Sequence, residues 1–179
     1  MDRIGRMTDL LKELTHYICW RADDPAKLGA TKLNKALWFS DTIAYRVAGR
    51  SITNTTYVKR QFGPVPKRIL VVLQELEVEG KIAIRHNQRF HYIQREFVAL
   101  EPAAPSTFSA QETEIIDEVV AWVCNRHTAT SISEFSHDVI WDSAAEGEEI
   151  PLYAVLGAAA GEITEVDREW ASKVIASRT

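Results

Sequence analysis

Several common routes to function are missing from this chain of 179 residues. It holds two cysteines, Cys19 and Cys124, too few for a disulfide framework and at no zinc-type spacing. Both fall in apolar helical patterns and read as reduced core thiols, which suits the cytoplasm. There is no glycine-rich phosphate loop, no His-Glu-x-x-His and no serine set in a glycine elbow. A formal net charge of -4 argues against a broad basic footprint for nucleic acid, although not against a local basic patch. No apolar run reaches membrane-spanning length, and the first residues, M-D-R-I-G-R-M, lack the apolar core of a signal peptide. Repeats and low-complexity tracts are absent too. These absences predict a cytoplasmic protein with no membrane partner, metal, cofactor or catalytic set.

What is present is an ordinary globular composition, 46% hydrophobic and 26% charged. The length suits one domain with its own core. The pattern predicts a mainly helical α+β fold with one short β-hairpin. Residues 1–98 supply a helical part plus the hairpin, 99–108 a Pro/Ala-rich link, and 109–179 a C-terminal helical part.

A first helix spans about Thr8 to Arg21, stopped by Asp23-Asp24-Pro25. A second starts at Thr31 as N-cap and ends before Gly49. Its inward stripe is Leu33, Ala36, Leu37, Ser40, Ile43, Ala44 and Val47, with Asn34, Trp38 and Tyr45 on a flank. Residues 51–63 read as irregular or strand-like, and Gly63, Pro64 and Pro66 as a rigid lead-in to a helix through Ile69, Val72, Leu73 and Leu76. Lys81–Arg85 and Phe90–Phe97 alternate as two strands about a turn at His86-Asn87-Gln88. Helices followed by a hairpin give the order of a winged-helix unit. Ser109 with Glu112, and Ser131 with Glu134, make capping boxes for two later helices. Thr164 caps a terminal helix using Val166, Trp170 and Val174.

Candidate chemistry is thin. His137 beside Asp138 and Asp142 reads as a solvated helix face, and Glu146, Glu148 and Glu149 as an acidic loop without calcium-loop spacing. An enzyme would need a pocket uniting His16, Asp41 or His137. Binding features are clearer. Tyr57, Lys59, Arg60, Phe62, Lys67 and Arg68 form a basic-aromatic stretch of the kind that anchors interfaces. Arg85, His86 and Arg89 sit at the hairpin turn.

Four pieces carry a family resemblance: T-K-L-N-K-A-L-W-F-S-D (Thr31–Asp41), Q-F-G-P-V-P (Gln61–Pro66), S-H-D-V-I-W (Ser136–Trp141) and G-E-E-I-P (Gly147–Pro151). In this order the chain resembles the Panacea, or SocA-like antitoxin, domain, related to phage-associated GepA proteins. The motif residues are Lys32, Leu33, Lys35, Gly63, Pro64, Val65, His137, Trp141, Ile150 and Pro151. The resemblance implies an antitoxin that neutralises a cognate toxin, encoded by the adjacent gene, through direct protein contact. It also implies an adaptor role, delivering the toxin to an ATP-dependent protease. On that reading Trp38, Tyr45, Tyr57, Arg60 and Phe62 are the toxin anchors, while His137 and Trp141 brace the Gly-Pro segment. The alternative is a winged-helix DNA-binding regulator using Lys67, Arg68 and the hairpin tip on phosphates.

Overall fold

The computed structural model describes residues 3–89, 91–136 and 139–158. The predicted Thr164 helix and His137 lie outside the described residues. The fold is α+β, as the sequence predicts. Helix α1 (Arg3–Arg21) ends at Asp23, whose φ is 63°, and Asp24 Oδ1 accepts from Ala26 N at 3.0 Å to start a single 3-10 turn, Pro25–Lys27. That turn runs straight into α2 (Gly29–Ala48), so Thr31 lies inside the helix and caps nothing. At the other end Gly49 takes φ 69° and donates to Tyr45 O at 2.9 Å, the expected left-handed stop.

β1 (Tyr57–Arg60) and β2 (Gly63–Pro66) form a tight hairpin about Gln61-Phe62. The predicted Gly-Pro lead-in is therefore itself a strand. Two prolines are tolerated because β2 is an edge strand, with sheet order β2-β1-β5, and residues 64 and 66 turn their missing N–H groups to the same, unpaired side. Helix α3 (Ile69–Val78) buries Ile69, Val72, Leu73 and Leu76 as the spacing requires.

β3 (Ile82–Arg89) and β4 (Tyr92–Ala99) pair antiparallel along eight positions each. The predicted turn at His86-Asn87-Gln88 is strand, and the reversal falls after Arg89. Polar residues do not end a strand whose outer half is in water: Asn87 Nδ2 donates to Glu96 Oε1 at 3.0 Å across the ribbon. Ile82 and Phe97 fix its inner half in the core.

The link after β4 is stapled to α1. Ala103 and Phe108 are buried, Phe108 meets Tyr17 edge-on at 5.7 Å, and His16 Nε2 donates to Glu101 O at 3.2 Å. Helix α4 (Ala110–Arg126) opens with the predicted Ser109–Glu112 capping box. Helix α5 (Ala129–Ser136) is capped one turn earlier than predicted: Thr128 Oγ1 accepts from Ser131 N at 3.1 Å, and Ser131 Oγ accepts from Thr128 N at 3.0 Å. Ser131 is thus the inner member of the cap. Then follow α6 (Val139–Ser143), β5 (Glu149–Ile150) and α7 (Ala154–Ala158).

One apolar core joins α1, α2, α3, α4, α5 and both long strands, through residues such as Leu14, Leu37, Leu76, Phe97, Ile116 and Ile132. A second, smaller cluster consists of Trp38, Tyr57, Ile150 and Val155. Two residues of the predicted inward stripe depart from it: Ile43 and Val47 are exposed.

Candidate functional site

The four sequence pieces meet at the β1–β2 hairpin. Glycine at 63 is enforced by geometry. Its φ is 117°, and a Cβ there would stand 1.6 Å from Lys35 Nζ and 2.9 Å from Ser136 Oγ. Lys35, on α2, is buried and donates to Ser136 Oγ, on α5, at 2.5 Å, while Ser136 Oγ donates onward to Ser133 O at 2.9 Å. A serine that accepts from an ammonium and gives its own proton to a carbonyl is held, not activated as a nucleophile. The ammonium, the serine and the glycine backbone form a clamp that ties α2 and α5 to β2.

A second polar node lies on the same helix. Asp41 is fully buried and accepts from Thr53 N at 2.9 Å, Thr53 Oγ1 at 2.5 Å and Tyr57 OH at 2.8 Å. Burial pushes its carboxyl above the ordinary range, and the three donors oppose that rise. The Tyr57 hydroxyl is pushed well above its usual value by burial and by Asp41. Tyr57 also meets Trp38 edge-on at 4.9 Å.

The strand's other edge is held by the acidic turn. Lys59 N donates to Glu148 O at 2.9 Å and Gly147 N to Lys59 O at 2.9 Å. Glu149 pairs with Lys67 at 2.9 Å, Glu146 with Arg60 at 3.6 Å, and Glu148 Oε2 accepts from Ala145 N at 2.6 Å. Each glutamate has its own partner, and no cluster of three possible metal ligands occurs among the described residues. Trp141 Nε1 donates to Arg60 O at 3.2 Å, and Lys59 Nζ lies 4.0 Å over its ring. These contacts of Trp141 are with β1, at Lys59 and Arg60.

The candidate anchors divide. Trp38 and Tyr57 are inside, with 4% and 1% of their surface exposed, so they cannot supply contact area; their size is used to fill the second cluster. Tyr45 is half-buried against that cluster. Arg60 and Phe62 are exposed at the hairpin tip, Phe62 by 57%. Among the motif residues, Leu33, Lys35, Gly63, Pro64 and Ile150 are buried, Val65 is half-buried and Pro151 is exposed. Lys32 reaches across to Cys124 O at 3.2 Å, and partial burial lowers its ammonium. Both cysteines are free and buried, Cys19 pushed up to about 12 by burial.

His16 and Asp41 have separate partners and build no common pocket. Lys67 is ion-paired, and beyond Arg68 α3 carries Glu75 and is followed by Glu79, both engaged by Lys12, at 3.7 and 2.7 Å. Its outer face shows Leu70, Val71 and Val78, a poor match to phosphates.

Sequence reasoning missed one surface, an open groove of about 1070 Å³ between α2, α4 and α5. Phe39, Trp122 and Phe135 form its aromatic wall, with centroids 5.0–5.9 Å apart. The signal lay in α2, where apolar positions extend round to Ile43 and Val47, more than one neighbour can cover. No described helix is long and apolar enough to cross a membrane. No curated protein and no solved structure matches the chain. A family model described as antitoxin SocA-like, Panacea domain, matches residues 33–142, more than half the chain and the whole of the α2–hairpin–α5 clamp, and the protein belongs to that family.

Proposed function

We propose that this chain is the antitoxin of a toxin–antitoxin pair, occluding its toxin through the tip of the β1–β2 hairpin. The supporting observation is a rigid scaffold that presents Arg60 and Phe62 outward while every element behind them is tied down. The Lys35–Ser136 bond, the Asp41 node and Trp141 all fix the backbone of that hairpin. A hairpin whose backbone is already fixed loses little backbone entropy when a partner covers the side chains it presents. The toxin is encoded beside this gene, and an ATP-dependent protease receives the complex when the domain acts as an adaptor.

The test is growth rescue. The neighbouring reading frame expressed alone should arrest growth, and co-expression of this chain should restore it. Arg60→Ala with Phe62→Ala should abolish rescue and co-purification at an unchanged melting temperature, because both side chains are exposed and Arg60 keeps only a surface ion pair. Full protection by that double variant at equal expression would overturn the choice of surface. Absence of any toxic neighbour would overturn the pairing itself.

A further inference from the structure

The described residues leave an open apolar groove between α2, α4 and α5, and no residue of the β1–β2 hairpin lines it. Phe39, Ile43, Trp122 and Phe135 do line it, with Ile43 36% and Phe135 60% exposed. An apolar patch of this kind is costly to leave in water and marks a docking surface. The charged residues lining it are Arg46, Glu118 and Arg126. Arg46 is engaged, donating to Val155 O at 3.2 Å. Glu118 and Arg126 are exposed on α4.

We infer that a second copy of the chain docks on this groove, the two copies meeting face to face along antiparallel α4 helices. The first ground is spacing. Glu118 and Arg126 each lie four residues from Trp122, on opposite sides of it, so the three follow one ridge of the helix. A two-fold axis at Trp122 brings each Glu118 opposite the other copy's Arg126, and the pairing occurs twice. A helix dipole favours acid early and base late, but it does not set them at equal distances from an aromatic on the groove wall. The second ground is the rest of the charge on α4. Glu114, also exposed, extends the acidic half, while Glu112 is used on Ser109 N and Asp117 on Arg21. No base interrupts that half, Arg126 is the helix's only base, and Glu134 of α5 does not line the groove. The third ground is what becomes covered. Ile43 comes from α2 and Trp122 from α4, so each copy presents two helices, and the pair makes a four-helix interface over the apolar centre. The inference does not rest on the antitoxin reading and leaves the hairpin tip free.

Sedimentation equilibrium of the purified full-length chain, loaded at roughly 1–200 μM, tests it. The mass should rise from one chain to two across that range. Glu118→Arg and Arg126→Glu each set like charges opposite one another at two symmetry-related points, and each should weaken association about tenfold. The double variant restores opposite charges in reversed order and should recover the unsubstituted dissociation constant within about twofold. Ile43→Asp places a charge in the apolar centre and should leave only monomer, with an unchanged circular dichroism spectrum. A chain that stays monomeric throughout would overturn the inference. So would a dimer indifferent to these substitutions, or a double variant no tighter than the single ones. A monomer that instead takes up the neighbouring gene's product, and loses it with Ile43→Asp, would assign the groove to that partner and overturn self-association. Growth rescue by the Arg60 and Phe62 double variant is a separate readout, so either reading can fail without the other.

Discussion

Gly63→Ala is the sharpest perturbation of the clamp. Any L side chain at φ 117° is strained, at about 1–3 kcal/mol. The new Cβ would overlap Lys35 Nζ at 1.6 Å, on a strand that its pairing with β1 holds in place. Lys35 must swing away, and its buried ammonium then loses the Ser136 bond, about 1.5–3 kcal/mol for a charged donor. Together these give about 2.5–6 kcal/mol, a large share of the roughly 5–15 kcal/mol that holds a domain folded. At about 2–4 °C per kcal/mol for a chain of this size, the melting temperature should fall by roughly 5–24 °C. Gly49→Ala and Gly80→Ala are the controls. They have φ 69° and 72° and nothing within 4 Å of an added Cβ, so each should cost about 1–2 kcal/mol. Guanidinium unfolding followed by circular dichroism measures all three. In a Lys35→Met background, which lacks the Nζ atom, the excess cost of Gly63→Ala should shrink toward the strain alone. If Gly63→Ala proves no more damaging than Gly49→Ala, or its cost is the same with and without Lys35, the clamp is not what fixes glycine there.

The Asp41 node makes two further predictions. Burial raises the folded-state carboxyl above its unfolded value of 3.8, so the folded protein holds that proton more tightly. Asp41 therefore contributes stability that is full below about pH 3.8 and is lost as pH rises through the folded value. The stability difference between the unsubstituted chain and Asp41→Asn should fall with pH above 3.8 and then level; a difference that grows over that window would contradict the assignment. Tyr57→Phe deletes only the hydroxyl donated to Asp41 and should cost about 1.5–3 kcal/mol in urea unfolding, with the Trp38 edge contact kept. Loss of toxin rescue by Tyr57→Phe without loss of stability would return this residue to the contact surface.

Much of the helical frame is legible in the residues, because single signals there are local. Leu10, Leu11, Leu14 and Ile18 repeat at helical spacing, Gly49 stops α2, and the Ser109–Glu112 box opens α4; none needs a distant partner. The misses are non-local. Gly63-Pro64-Val65-Pro66 reads as a lead-in to a helix until β1 is seen beside it, since prolines fit a strand only when its outer edge is free. Trp38 and Tyr57 read as anchors because a helix flank and a basic stretch look exposed in one dimension. The space they fill is made by Ile150 and Val155, about a hundred residues away in sequence. Lys35 carries the plainest unread signal: a lysine between Leu33 and Leu37 on a buried helix face must find a polar partner, but nothing local says that it is Ser136.

The same non-locality bears on where a partner is read. Several of the motif residues are engaged inside the chain: Lys35 with Ser136 against Gly63, Lys32 with the Cys124 carbonyl, and Trp141 with the Arg60 carbonyl. A side chain committed to an internal bond cannot also vary to suit a different toxin without loosening the hairpin. On the antitoxin reading, recognition is best carried by positions the clamp does not use. On the reading proposed above, the hairpin tip supplies them: Arg60 and Phe62 are exposed, and the clamp uses neither side chain. The same reading predicts that different side chains at that tip change the partner while the scaffold beneath stays the same, read by growth rescue and co-purification of each tip variant against the neighbouring gene's product.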